Sequence, residues 1–353
     1  MADTRDRPAI LAEGLRKSFG DVQALRGVDF AVPQGTILGV LGPNGAGKTT
    51  AVKILTTLLL PDAGSAMIDG HDVVREADAV RALIGLAGQT VTILEELTGR
   101  ENLEIMGRLH HLRRAVARER AAELLTRFDL SEAADRAAKT YSGGMLRRLD
   151  LAASLISSPT VLFLDEPTTG LDPRSRLGMW QIIRDLVAGG STLLLTTQQL
   201  DEADNLADEI IVIDRGQVIA GGTAEQLKDR IGGDVVEFTV PDRSRLADAV
   251  QAVAELAQTE PHVYDETGLV SVRVGARGSE ALPEAVRRLD RSGVATDGIA
   301  LRRPSLDDVF LALTGHAAEE ADDDASGQAA ARHPRGRRRD TSDGAASTGR
   351  KQQ

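Results

Sequence analysis

Apolar residues along this chain follow two rhythms. In residues 10–230, short unbroken apolar runs at Ile37–Leu41, 161–164, 193–195 and 210–213 alternate with stretches whose apolar positions recur at helical spacing. Unbroken runs of this length suit strands covered on both faces. The alternation predicts a parallel sheet flanked by helices, an α/β fold. Over about 90–155, Ala, Arg, Leu and Glu dominate and the apolar positions keep helical spacing, which predicts a helical insert. A second, smaller α+β unit is expected over 234–315. There 235–240 and 270–274 read as strands, and 246–256 and 282–289 as helices. The order is roughly βαββαβ, compatible with a ferredoxin-like fold. A last helix is expected over 306–313, with Ser305 and Asp308 at capping-box spacing although Asp replaces the usual Glu or Gln. Residues 316–353 contain no Leu, Ile, Val, Met or aromatic residue. With no apolar area to offset ordering entropy, they are expected to form a disordered tail.

Charge and composition narrow the function. The 353 residues carry 42 basic and 53 acidic side chains, a net charge of −11. That balance repels phosphate backbones, so nucleic acid is not the expected partner. The Arg-rich stretch 332–339 reads as a solvated part of the tail. There is no cysteine, which excludes a disulfide framework and thiolate metal sites. No run approaches the roughly 20 apolar residues of a membrane helix, and the N-terminus lacks the apolar core of a signal peptide. Any membrane work is therefore expected to pass through a partner.

Gly42-Pro43-Asn44-Gly45-Ala46-Gly47-Lys48-Thr49 fits G-x-x-x-x-G-K-[ST], the phosphate-binding P-loop. Its context agrees, since an apolar strand precedes it and a helix containing Thr50 follows. Glycines let main-chain N–H groups converge on phosphate oxygens, and the helix start adds its positive dipole end. Lys48 is expected against the β- and γ-phosphates, and the Thr49 hydroxyl on Mg²⁺. Further along, the run 161–164 ends in Asp165 and Glu166. Neighbouring strand residues point to opposite faces and can take different tasks. Asp165 is expected to hold Mg²⁺ through water and Glu166 to polarise the attacking water as general base. Between these motifs lies Tyr141-Ser142-Gly143-Gly144-Met145-Leu146-Arg147-Arg148-Leu149, opening a helix. Ser142, Gly143 and Gly144 offer a hydroxyl and bare N–H groups, a second anion site. One protomer has no use for two γ-phosphate sites, so this one is expected to close over ATP held by another copy.

With these motifs in this order, residues 10–230 resemble the nucleotide-binding domain of the ATP-binding-cassette (ABC) transporters. The resemblance includes Gln89 in Gly88-Gln89-Thr90 and Gly170-Leu171-Asp172 after the acidic pair. It implies an ATPase working as a head-to-tail homodimer, two ATPs being held between P-loop and opposing signature. It implies that Gln89 senses Mg²⁺ and contacts a membrane subunit, and that Asp172 lies in the loop crossing the dimer. Phe19 stands where the family stacks an aromatic ring on adenine, worth about 1–3 kcal/mol. More closely, Thr140-Tyr141-Ser142-Gly143-Gly144-Met145 and the stretches 165–176 and 304–315 are similar to the daunorubicin/doxorubicin-resistance ATP-binding subunits. That implies export of a drug, antibiotic or secondary metabolite through a separate ABC-2-type permease, with this chain on the cytoplasmic face of the membrane. One departure concerns mechanism: Gln198 stands where most cassettes place a histidine. Glutamine can hydrogen-bond a γ-phosphate oxygen but cannot carry a positive charge. The alternative is a soluble cassette ATPase acting on nucleic acid or ribosomes. Against it stand the single cassette, the lack of a long coiled-coil insert and the negative charge. A GTPase is disfavoured by the absence of an N-K-x-D motif.

Overall fold

A computed structural model describes residues 7–88, 92–230, 233–265, 267–275 and 278–314. The residues through Thr314 group as one compact unit. The expected tail over 316–353 and Gln89 lie outside the described residues.

The chain opens with a hairpin of β1 (Ile10–Phe19) and β2 (Val22–Val32), then β3 (Ile37–Leu41) and α1 (Lys48–Leu55). β4 (Ala63–Ile68), β5 (His71–Asp72), α2 (Ala77–Leu83) and β6 (Ile84–Ala87) follow. The helical insert supplies α3 (Gly99–Leu109), α4 (Arg114–Arg127) and α5 (Gly143–Ser154). Strand and helix then alternate through β7 (Val161–Asp165), α6 (Pro173–Ala188), β8 (Thr192–Thr197), α7 (Leu200–Leu206), β9 (Glu209–Asp214), β10 (Gln217–Gly222) and α8 (Ala224–Arg230). Last come β11 (Asp234–Thr239), α9 (Leu246–Val253), β12 (His262–Tyr264), β13 (Leu269–Gly275), α10 (Gly278–Ser292), β14 (Asp297–Arg302) and α11 (Leu306–Thr314).

The apolar runs become the centre of a six-stranded sheet ordered β10-β9-β3-β8-β7-β6. Every residue of β3, β7 and β8 is buried. Each large apolar side chain there contributes about 1.5–3 kcal/mol by leaving water. One face packs with the helical insert, where Leu103, Leu124, Phe128 and Leu149 join Leu162, Leu164 and Leu195 in a single core. The expectation of a parallel sheet needs correction in two respects. The edge pair β9–β10 is antiparallel, and β1, β2, β4 and β5 form a separate antiparallel sheet ordered β2-β1-β4-β5. Its strands are half-exposed, so they lack unbroken apolar runs. Their inner residues, including Ile10, Leu15, Val28 and Ile68, cover the other face of the central sheet through Val40, Phe163 and Leu194.

The elements from β11 to β14 follow the expected βαββαβ order, in a sheet ordered β12-β13-β11-β14 with α9 and α10 sharing its core. Ser305 and Asp308 form the anticipated reciprocal cap. The Ser305 N–H donates to Asp308 Oδ2 at 2.8 Å, and the Asp308 N–H donates back to Ser305 Oγ at 3.2 Å. The helix they start, α11, packs elsewhere than on that sheet. Leu306 and Val309 share a core with Leu41, Ala203, Val212 and Leu227 of the central sheet and its helices.

Candidate functional site

The carboxyl ends of β3, β8 and β7 lie side by side. Leu41 pairs in register with Thr197, and Asp165 with Thr196. In α/β sheets the crevice beyond these ends is where ligands bind. The loop over 42–47 leaves β3 there and enters α1. Gly47 adopts the left-handed region at φ 111°, and a Cβ would stand 2.5 Å from the Ala24 carbonyl oxygen. A Cβ on Gly42 would collide with the Ile213 carbonyl. These glycines let the loop curl tightly between β2 and β9. Pro43 is half-buried, Asn44 and Gly45 are exposed, and Ala46 is buried. Helix α1 begins without a side-chain cap and without an acid in its first turn, which holds Lys48, Thr49 and Thr50. Its first N–H groups therefore stay available to an anion.

Lys48 is 5% exposed and donates from Nζ to the carbonyls of Gly42 at 2.7 Å and Pro43 at 3.1 Å. Burial pulls its pKa below the usual lysine value, while the charges of Glu166 and Asp165 oppose that pull. The Thr49 hydroxyl donates to Asp165 Oδ2 at 3.2 Å, and Thr196 donates to Asp165 Oδ1. A hydroxyl and a carboxylate thus meet at the start of the P-loop helix, oxygen donors of the kind Mg²⁺ takes alongside phosphate and water. Among the described residues, no group of three or more His, Cys, Asp or Glu could hold a metal by itself.

Glu166 sits one residue beyond β7 at φ 52°, a region few side chains adopt. Its N–H donates to the Thr196 carbonyl at 3.0 Å. Gln198 Nε2 donates to Glu166 Oε1 at 2.8 Å, and the Thr169 hydroxyl donates to Oε2 at 3.3 Å. A cavity of about 500 Å³ brings Glu166 and Gln198 together with Asn44, Gly143 and Thr169.

Ser142 caps α5, its side chain accepting the Met145 N–H at 3.3 Å. Gly143 is exposed, whereas Gly144 is buried where a Cβ would stand 2.8 Å from Ser175 Oγ. That hydroxyl donates in turn to Asp172 at 2.6 Å. Asp172 caps α6 through the N–H groups of Arg174 and Ser175. The bond from the Ser175 hydroxyl, followed by the one from its N–H, holds the Asp172 carboxyl below the usual carboxylate range. Ser175 thus bonds Asp172 and lies close against Gly144. Phe19 ends β1 at 52% exposure, with Lys17 Nζ 5.8 Å from its ring centroid. It is an open aromatic face rather than core, on the hairpin whose second strand abuts Gly47.

Reading the sequence for site residues overlooked several that the structure places here. Thr196 bonds Asp165, and Glu202 accepts from Thr168 at 2.7 Å and from the Trp180 indole at 3.3 Å. Burial pushes the Glu202 carboxyl up, against those bonds and one from Thr197. Arg147 and Asp150 on α5 form a buried ion pair at 3.5 Å. A charged pair three apart among apolar helix positions was the available signal.

The sequence profile of the ABC transporter family matches residues 25–169. A daunorubicin resistance ATP-binding protein of Streptomyces coeruleorubidus is 56% identical over 315 residues, covering 89% of this chain and 97% of that protein. A doxorubicin resistance ATP-binding protein of Mycobacterium tuberculosis is 47% identical, covering 88% and 94%. A Nod factor export ATP-binding protein of Ralstonia nicotianae is 39% identical, covering 87% and 94%. Among solved structures, the ADP conformation of an ATP-binding cassette of an ABC transporter superimposes with a TM-score of 0.57 at 28% identity, covering 62% of this chain and 92% of that one. A dimeric cassette in a post-hydrolysis state, bound to ADP and Pi, gives a TM-score of 0.56 at 25% identity, covering 61% and 98%. Likeness of this degree over most of the chain places it in the ABC transporter family, among the daunorubicin and doxorubicin resistance ATP-binding proteins.

Proposed function

We propose that this chain binds and hydrolyses ATP and so energises export of a drug, antibiotic or secondary metabolite through a separate ABC-2-type permease. The observation that carries the reading is the convergence of an uncapped P-loop helix with Asp165 and Glu166 at neighbouring strand ends. Main-chain N–H groups over 42–47 and the Lys48 ammonium hold the phosphates. Thr49 and Asp165 are the residues that would hold Mg²⁺, which neutralises phosphate charge when bound; Gln89 belongs to the same proposed set. Glu166 takes the proton of the attacking water. Gln198 already bonds Glu166 and orients that carboxylate as a neutral partner. Phe19 supplies a stacking face for adenine.

Ser142, Gly143 and Gly144 form half of a second pocket, closed over ATP held by another copy of the chain. The dimeric cassette bound to ADP and Pi supports this arrangement. Asp172, whose partner Ser175 lies close against Gly144, is assigned to the region where the two copies meet. Residues 10–230 act as the catalytic cassette and 234–315 as an accessory unit, α11 returning to the cassette core. In this proposal the chain attaches at the cytoplasmic face through the permease; among the described residues no helix is long and apolar enough to cross a membrane.

The test is direct. The purified chain, with and without its permease, is expected to retain ATP and release phosphate in Mg²⁺. Failure of both with Lys48 intact sinks the reading. Gln198 has its own test: Gln198→Ala is expected to lose most turnover, because the Glu166 carboxylate loses its partner. Gln198→His should be tolerated. Near-wild-type phosphate release by the alanine variant would remove Gln198 from the mechanism.

A further inference from the structure

Arg147 lies one turn into α5, past the Ser142-Gly143-Gly144 start, and its side chain is only 9% exposed. A buried guanidinium is costly unless all its N–H groups find acceptors. Here they are matched. Nε donates to the Pro167 carbonyl at 2.8 Å. Nη2 donates to the carbonyls of Asp165 at 3.2 Å and Glu166 at 3.0 Å. Nη1 donates to the Gly88 carbonyl at 2.6 Å and reaches Asp150 Oδ2 at 3.5 Å. Asp150 is held in turn by the Thr92 N–H and hydroxyl, both at 3.0 Å. Most of the fork is spent on main chain, and three successive carbonyls belong to the segment carrying Asp165 and Glu166. Glu166 keeps its unusual φ of 52° in the middle of that segment. Such a conformation persists only where its surroundings over-determine it, and Arg147 grips the peptide planes on both sides.

We propose that Arg147 is a positioning residue: its guanidinium fixes the peptide planes of Asp165, Glu166 and Pro167 and so ties the aim of the Glu166 carboxylate to helix α5. The inference rests on the reading of Glu166 as the base. It adds a physical link. The helix whose first turn is offered to the opposing nucleotide is also the helix that braces this copy's own catalytic segment. A shift of α5 on contact with a second ATP is passed through Arg147 to the planes flanking Glu166. Lysine cannot replace the fork, because its donors radiate from one atom and cannot span carbonyls of successive residues.

The experiment uses the full chain with its permease and measures phosphate release, nucleotide affinity with a fluorescent ATP analogue, and melting temperature. Arg147→Lys and Arg147→Gln are each expected to lower kcat at least about tenfold, with nucleotide affinity within about twofold of wild type. Arg148→Lys is the control. Arg148 faces the Phe128 carbonyl and Asp129 on the insert, so its variant should keep wild-type kcat. If neither Arg147 variant lowers kcat tenfold, the proposal is overturned. It is overturned equally if both variants melt early and lose nucleotide together, since Arg147 would then hold the fold rather than the aim of Glu166. A wild-type chain that does not hydrolyse ATP overturns both this inference and the reading beneath it. Active wild type with unimpaired Arg147 variants overturns the inference alone.

Discussion

Glu166→Gln is expected to lower ATP turnover by at least about a hundredfold while leaving ATP binding nearly unchanged. A positioned general base contributes about 10²–10⁴ in rate, and an amide cannot take a proton from water. The substitution keeps shape and size. Its amide can still pair with Gln198, now as acceptor at one end, and meet the Thr169 hydroxyl with the other. The segment remains braced through its main chain, so the fold should survive. Bound but uncleaved ATP should then hold two copies together. Phosphate release and gel filtration with and without ATP check both halves. Turnover within tenfold of wild type would remove Glu166 as base. Monomer alone in saturating ATP, both free and with the permease, would sink the shared pocket.

Lys48→Ala has the second large effect, and at an earlier step. Removing one preorganised charged donor from a phosphate site costs on the order of 10²–10³ in turnover. Here the loss extends to binding. Lys48 is buried beside Asp165 and Glu166, and both charges oppose the downward pull of burial on its pKa. Without the ammonium, two carboxylates face an incoming polyphosphate with one cation fewer between them. ATP affinity and kcat should therefore fall together, in contrast to Glu166→Gln. Equilibrium dialysis with labelled ATP, beside phosphate release, separates the two patterns. Retained ATP affinity in Lys48→Ala would mean that main-chain N–H groups hold the phosphates unaided. Lys48 spends two of its three donors on the carbonyls of Gly42 and Pro43, which leaves one for a phosphate. The loop is thus held in shape by the residue the ligand must recruit.

The site was legible where chemistry follows from neighbours in sequence. A P-loop needs glycines at set intervals because main chain must approach phosphate, so the pattern over 42–49 could be read from its spelling. The acidic pair after 161–164 was legible because an unbroken apolar run marks a buried strand and its end marks the crevice. Gln198 was singled out by the resemblance, as the residue standing where most cassettes place a histidine, and the structure shows it bonded to Glu166. The half-exposed strands of the β2-β1-β4-β5 sheet were not legible as a separate sheet. Their pairing is antiparallel and their apolar positions are interrupted, so no run announces them.

By itself, then, the sequence determined the central strands, the helical insert and the βαββαβ order, and it offered candidate residues whose spacing would suit a ligand. Those are local properties, written in periodicity and in short loops. Only the tertiary structure decided that Arg147 reaches residues 88 and 165–167 and that Thr196 meets Asp165. It also decided that Phe19 stands exposed at the end of β1 and that α11 returns to the central core. The physical reason is that such contacts join residues far apart in the chain. A buried charge looks the same in a one-dimensional pattern whether it braces a catalytic segment or faces water, until packing shows which carbonyls it meets.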